Sequence, residues 1–148
     1  MAKLKTKLAD FNKETGESTY IYTYKEHTFI GKSQCHEDDM DMCSELVGLQ
    51  LAEIRAFFKY LKIRRKELKL KLDALEGVYK NMSTSKDFNE RSKATQKLIL
   101  AINETRLELE DCKDGIKNIP DFVEKNIQAR DAMYKKIREK RAKGISAE

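Results

Sequence analysis

Between residues 47 and 119 apolar side chains recur in alternating steps of four and three, and no other feature restricts the fold of this chain as much. A first run holds Val47, Leu51, Ile54, Phe58, Leu61, Arg65, Leu68, Leu72, Leu75, Tyr79 and Met82. A second holds Phe88, Arg91, Thr95, Leu98, Ile102, Thr105, Leu109, Cys112, Ile116 and Ile119. A mean period of 3.5 keeps one stripe of an α-helix turned toward a partner helix. The spacing predicts a first helix over 39–82, on the order of 60 Å long at about 1.5 Å per residue, and a second over 86–118 with Ser85 or Asp87 as its N-cap. The segment "NMSTSKD" breaks the pattern between them. So short a break makes the two helices antiparallel neighbours. In the expected register Tyr79 faces Arg91, Leu72 faces Leu98, Leu68 faces Ile102 and Leu51 faces Ile119.

Pro120 either kinks the second helix or opens a third over 120–143, since proline is tolerated in a first helical turn. That last stretch uses Val123, Ile127, Arg130, Tyr134 and Ile137, and ends in the basic tail "KKIREKRAKGISAE". Ile63, Leu70, Ile99, Leu100 and Leu107 fall off the seam. A two-helix hairpin covers one stripe per helix, so these residues call for cover by a sheet, a third helix or a second copy of the chain. Homo-oligomerisation follows as an expectation.

The first 36 residues have a different period. "KLKTKL" alternates Lys3, Lys5 and Lys7 with Leu4, Thr6 and Leu8; "STYIYTY" sets Tyr20, Tyr22 and Tyr24 against Thr19, Ile21 and Thr23. Alternation of this kind marks half-covered strands. "NKETGE" and "KEH" supply the turns, and Gly31 within "TFIGKSQC" admits a close backbone. The fold class expected is α+β: a small N-terminal antiparallel β-meander over 1–36, a long antiparallel helical hairpin, and a C-terminal helix, within a single domain over 1–148. So small a sheet is marginal alone and must pack on something.

Charged residues make up 37% of the chain and aromatic ones 8%, which suits long solvated helices better than a loop-rich enzyme. The net charge of +5 permits anionic partners without requiring them. No apolar run is long enough for a membrane span, and "MAKLKTKLADF" lacks the apolar core of a secretory leader. The three cysteines are an odd number and suit reduced thiols in a cytosol.

Cys35, His36 and Cys43, with Glu37, Asp38, Asp39 and Asp41, include the residue types that bind zinc. They lack ligand spacing, however. An acidic run that opens a helix and offsets its unpaired N–H groups explains them better. No phosphate-binding loop, dinucleotide fingerprint or nucleophile elbow occurs, so neither catalysis nor a cofactor or metal is expected. "KIRRKELKLK" and "KKIREKRAK" can contact nucleic-acid phosphates, but acidic residues alternate through most of the chain and favour solvated helix faces.

Arg55, Arg91, Arg106 and Arg130 lie on or beside faces that should be covered. A covered arginine needs an anionic partner. Carboxylates of the chain supply one, or a phosphate-bearing ligand held between protomers does. Tyr79 and Asn89 flank the helix break, where they offer an aromatic face for a base and an amide for its edge.

The succession "YIYTYKEHTFIGKSQCHEDD", "LAEIRAFFKY", "VYKNMSTSKDFNERS" and "NETRLELE" resembles the phage Thoeris anti-defence proteins, sponges that capture cyclic ADP-ribose signals. The resemblance spans most of residues 18–135. It implies a non-catalytic phage protein acting in the host bacterial cytoplasm, where it holds an intact cyclic ADP-ribose isomer and so blocks activation of Thoeris immunity. It implies no membrane, and a homo-oligomer (dimer or hexamer) with pockets between protomers and, in some members, separate sites for cyclic oligonucleotides. Carried onto this chain, the ligand contacts are Tyr79, Asn89, Arg55 and Arg106. A tyrosine where the family can use phenylalanine keeps the stacking face. A further family arginine falls near Lys125, with Arg130 a little beyond. Two other readings fit the residues: a phage structural or assembly protein built on its coiled coil, and a nucleic-acid-binding regulator.

Overall fold

The structure, a computed structural model, describes residues 2–36 and 44–144. In chain order it has β1 (Lys5–Phe11), β2 (Glu17–Tyr24), β3 (His27–Gln34), α1 (Glu45–Ser83) and α2 (Lys93–Ala142). This is the α+β arrangement expected, an antiparallel sheet followed by a helical hairpin. The acidic run 37–43, including Cys43, lies outside the described residues. The chain divides into two compact units, Met1–Tyr60 with Asn118–Glu148, and Leu61–Lys117.

In the first unit the strand order is β1-β2-β3. Asn12 builds the first turn: its Oδ1 accepts the Glu14 and Thr15 N–H groups at 2.9 and 3.2 Å. Gly16 takes a φ of 73° there, where a side chain would be strained. Lys25 turns β2 into β3 at a φ of 54°. The alternation expected of β1 breaks at a bulge between Thr6 and Leu8. Thr6 pairs with Tyr22, whereas Leu8 pairs with Ile21. The extra residue thus sends Thr6 and Leu8 to opposite faces.

One sheet face meets α1. Phe29, Gly31 and Ser33 are buried at alternate positions of β3. Gly31 admits the helix backbone: a Cβ there would lie 2.5 Å from the Ala56 nitrogen and 3.0 Å from the Ala52 carbonyl carbon. Ala52 and Ala56 are themselves fully buried. Aromatic rings fill the space beside this contact. Tyr22 meets Phe57, Tyr24 meets Tyr60, and Phe29 meets Tyr60, with ring centres 6.3, 5.2 and 6.0 Å apart and edge-on. Such pairs contribute about 0.5–1.5 kcal/mol each beyond their buried area.

Two cations of α1 reach over the sheet edge. Arg55 donates to the Lys32 carbonyl at 2.6 Å, and Lys59 to the Ile30 carbonyl at 2.5 Å. Among the described strands, these alternate carbonyls of an edge strand have no partner on that side.

Helix boundaries depart from the spacing. The described part of α1 starts at Glu45, with Ser44 Oγ accepting the Val47 N–H at 3.3 Å as its N-cap. α2 begins at Lys93 rather than near residue 86, because Ser92, not Ser85 or Asp87, is its cap: Ser92 Oγ accepts the Thr95 N–H at 3.2 Å. Ser85 Oγ instead accepts the Asp87 N–H within the connecting turns. The third helix does not separate, since α2 continues through Pro120 to Ala142. A proline inside a helix removes one donor and crowds the preceding turn. Here the half-buried Ile116 and Ile119 before it and Val123 and Ile127 after it hold both sides.

In the second unit the seam is the core. Leu61, Leu68, Ile102, Leu109 and Cys112 are buried, with Thr95 and Thr105. Each threonine hydroxyl is paired locally: Thr105 donates to the Ala101 carbonyl at 2.7 Å, and Thr95 accepts from Ser92 Oγ at 2.8 Å. Seam residue Arg91 is exposed, in the turn before α2. Leu70, Leu100 and Leu107 are 72%, 58% and 68% exposed, so the described residues leave them uncovered.

Cysteine usage departs from fully reduced thiols. Cys35 is disulfide-bonded, while Cys112 is free and buried.

A candidate ligand groove along the helical hairpin

With Leu72 and Tyr79 as a positions of the heptad, Glu76 and Lys80 take the flanking e and b positions. With Ile102 as an a position, Ile99 and Arg106 take e and Asn103 takes b. Antiparallel helices turn these flanks toward each other. Between them lies a groove of about 540 Å³, lined by Glu76, Gly77, Tyr79, Lys80, Ile99, Ile102, Asn103 and Arg106. That volume is in the range of small-molecule sites. Gly77 leaves its wall open, for nothing lies within 4 Å of where its Cβ would be.

Arg106 donates to Glu76 at 3.0 Å across the groove. Both side chains are largely in solvent, 55% and 43% exposed, so the pair contributes little stability. On the opposite flank, Arg64 and Glu108 occupy g positions and pair at 2.8 Å. Both contacts are displaced in one direction from the expected register, which set residue 64 opposite 106 and residue 76 opposite 94. The helices are therefore paired about one heptad further along. The reason is the connection: residues 84–92 form turns rather than helix, so α2 starts later. Phe88 lies in these turns and meets Tyr79 edge-on, ring centres 6.0 Å apart.

Of the six expected ligand residues, Tyr79 and Arg106 line this groove together. Asn89 does not line it. Its Oδ1 accepts the Arg91 N–H at 2.9 Å and shapes the turn. Arg55, Lys125 and Arg130 belong to the other unit. Arg55 is engaged on the β3 edge, and Lys125 is exposed on α2. Arg130 has a side chain only 16% exposed and pairs with Asp131 at 3.3 Å. It borders a cavity of about 10 Å³ with Tyr134, Val47 and Gly48, room for about one water. Glu76, Lys80, Ile99 and Asn103 were not anticipated. Their signal was the heptad itself, since e and b positions flank any seam that pairs Tyr79 with the second helix.

Among the described residues, no three His, Cys, Asp or Glu side chains converge as a metal site would require. Among the described residues, no helix is long and apolar enough to cross a membrane. No protein-family model, curated protein or solved structure matches the chain.

Proposed function

We propose that this protein binds and sequesters, without turnover, a cyclic ADP-ribose-type signalling nucleotide, and that it acts as a phage anti-defence protein against Thoeris immunity in the host bacterial cytoplasm. The observation that carries the proposal is the convergence of Tyr79 and Arg106 on one groove of nucleotide size. Tyr79 offers a ring face to the base. Arg106 and Lys80 face the two phosphates, with the guanidinium fork matched to phosphate oxygens. Asn103 supplies the amide that was expected from Asn89. Phosphate binding displaces Glu76 from Arg106 at little cost, because that pair is solvated. The remaining cations are contributed by further protomers, in a dimer or hexamer, and cyclic oligonucleotides are candidate ligands for separate sites.

Mass spectrometry of small molecules released by heating the ligand-incubated protein tests this directly. Intact cyclic nucleotide, with a ligand-dependent rise in melting temperature, is expected. A hydrolysed product, or no shift with any cyclic ADP-ribose isomer, overturns the proposal.

A second reading is favoured by a separate observation, the exposure of Leu70, Leu100 and Leu107. These f positions suit a coiled-coil assembly protein whose partner helices cover them. Light scattering that finds a monomer at micromolar concentration removes it, and removes the oligomeric part of the first reading as well.

A further inference from the structure

The first unit contains a second cleft with the opposite electrostatic character. It measures about 330 Å³ and lies between the start of α1 and the part of α2 that follows Pro120. Val47, Leu51 and Ile54 form its apolar wall, and Phe122, 53% exposed, stands beside them. Gln50 and Asn126 add amides. Glu53 is the one charged side chain in its lining.

Glu53 is unusual for this chain. It is half-buried, and it accepts the Tyr22 hydroxyl at 2.5 Å. No Lys or Arg among the described residues pairs with it, although the chain has 30 basic residues and a net charge of +5. Burial, with the hydrogen bond to Glu53, pushes the Tyr22 phenol above the ordinary tyrosine range, so the phenol keeps its proton and donates it to this contact. A carboxylate without a cation, beside an apolar wall and an open aromatic ring, is complementary to a positive group on an apolar body.

We infer that this cleft is a binding site for a small organic cation, an ammonium group on an apolar body. The ammonium meets the Glu53 carboxylate, and the body lies along Ile54, Val47 and the Phe122 ring. Gln50 and Asn126 present polar groups at the rim, and Asn126 Nδ2 is steadied by donating to the Phe122 carbonyl at 2.7 Å. The site is independent of the anion groove, since it draws on none of the same residues.

NMR titration of the full chain with phenethylammonium, and with 2-phenylethanol as its neutral counterpart, tests the inference. Saturable shifts of the Gln50 and Asn126 side-chain amides are expected with the cation. Affinity should fall about tenfold or more for the alcohol, and by a similar factor in Glu53→Gln. Equal binding of the alcohol, unchanged affinity in Glu53→Gln, or no saturable shift with the cation overturns it. Glu53→Gln also alters the Tyr22 contact, so Tyr22→Phe is the second variant. It keeps the carboxylate and should bind the cation at least as tightly as the parent. If Tyr22→Phe loses as much as Glu53→Gln, the loss comes from the sheet contact and the inference falls.

Discussion

Gly31 lies directly against Ala52: β3 and α1 touch backbone to backbone, with no room for a methyl group at residue 31. A Cβ there would overlap the Ala52 carbonyl and approach the Ala56 nitrogen to 2.5 Å. Neither obstacle is a side chain that can rotate away. Gly31→Ala should therefore destabilise the protein by about 3 kcal/mol or more, the upper range for overpacking. Urea unfolding measures this. A loss below about 1 kcal/mol would mean that the helix can lift off the sheet freely. Gly77→Ala is the control, since it meets nothing within 4 Å. It should raise stability by about 0.5–1 kcal/mol through helix propensity.

Glu76 and Arg106 pair across the groove at 3.0 Å, so an anionic ligand competes with the Glu76 carboxylate. Glu76→Gln should tighten binding of a cyclic ADP-ribose isomer several-fold and change stability by less than about 1 kcal/mol, as for an exposed pair. Arg106→Ala should abolish binding and leave the fold intact. Calorimetric titration of both variants decides the matter. If Glu76→Gln weakens binding, the carboxylate contacts the ligand rather than competing with it.

Arg55 and Lys59 hold the Lys32 and Ile30 carbonyls. Arg55→Ala and Lys59→Ala should each cost about 1 kcal/mol. The double variant should self-associate faster, since it exposes a sheet edge. Light scattering follows the association. Arg55→Ala should leave nucleotide affinity unchanged. A large affinity loss with unchanged stability would return Arg55 to the ligand contacts that the family resemblance implies.

A half-buried phenol, Tyr22, and a buried thiol, Cys112, limit the protein in alkali. Burial pushes the Cys112 thiol up, against a lowering by Arg64, and burial with the Glu53 bond pushes the Tyr22 phenol up. In the unfolded chain these groups ionise at their ordinary values, about 8.5 and 10. Above those values the unfolded state holds fewer protons than the native state, so stability falls as pH rises. Melting temperature should decline from about pH 8.5 and more steeply beyond about 10. Cys112→Ala should flatten the first part of the decline and Tyr22→Phe the second. Identical pH profiles for the variants and the parent would contradict this.

The heptad made the hairpin and its core readable from sequence, because Leu68, Ile102, Leu109 and Cys112 sit where a 3.5-residue period must bury them. Gly31 was readable for a similar reason, a lone glycine among strand residues. The register was not. It depends on where α2 starts, and that rests on Ser92 outcompeting Ser85 as a cap, a choice between two similar hydroxyls in similar polar surroundings. The bulge beside Lys7 left no trace in an alternation that looked regular. The shifted register, not spacing, brings Tyr79 and Arg106 to one groove, since spacing set Arg106 opposite residue 64. Spacing also said nothing about which carboxylates their neighbours would offer, nor that Arg55 would be engaged by a strand edge that lies far from it in sequence.

That edge has a consequence for assembly. A ribbon of strands grows without limit only when each added copy presents two free borders. Here two cations of α1 hold carbonyls of the β3 border, which leaves β1, with its bulge and carrying Lys5 and Lys7, as the other border of the described sheet. A second copy that docked there would bring another held border with it. With those two carbonyls held, strand pairing between copies of this chain should run through β1 and stop at two, a finite particle rather than a fibre.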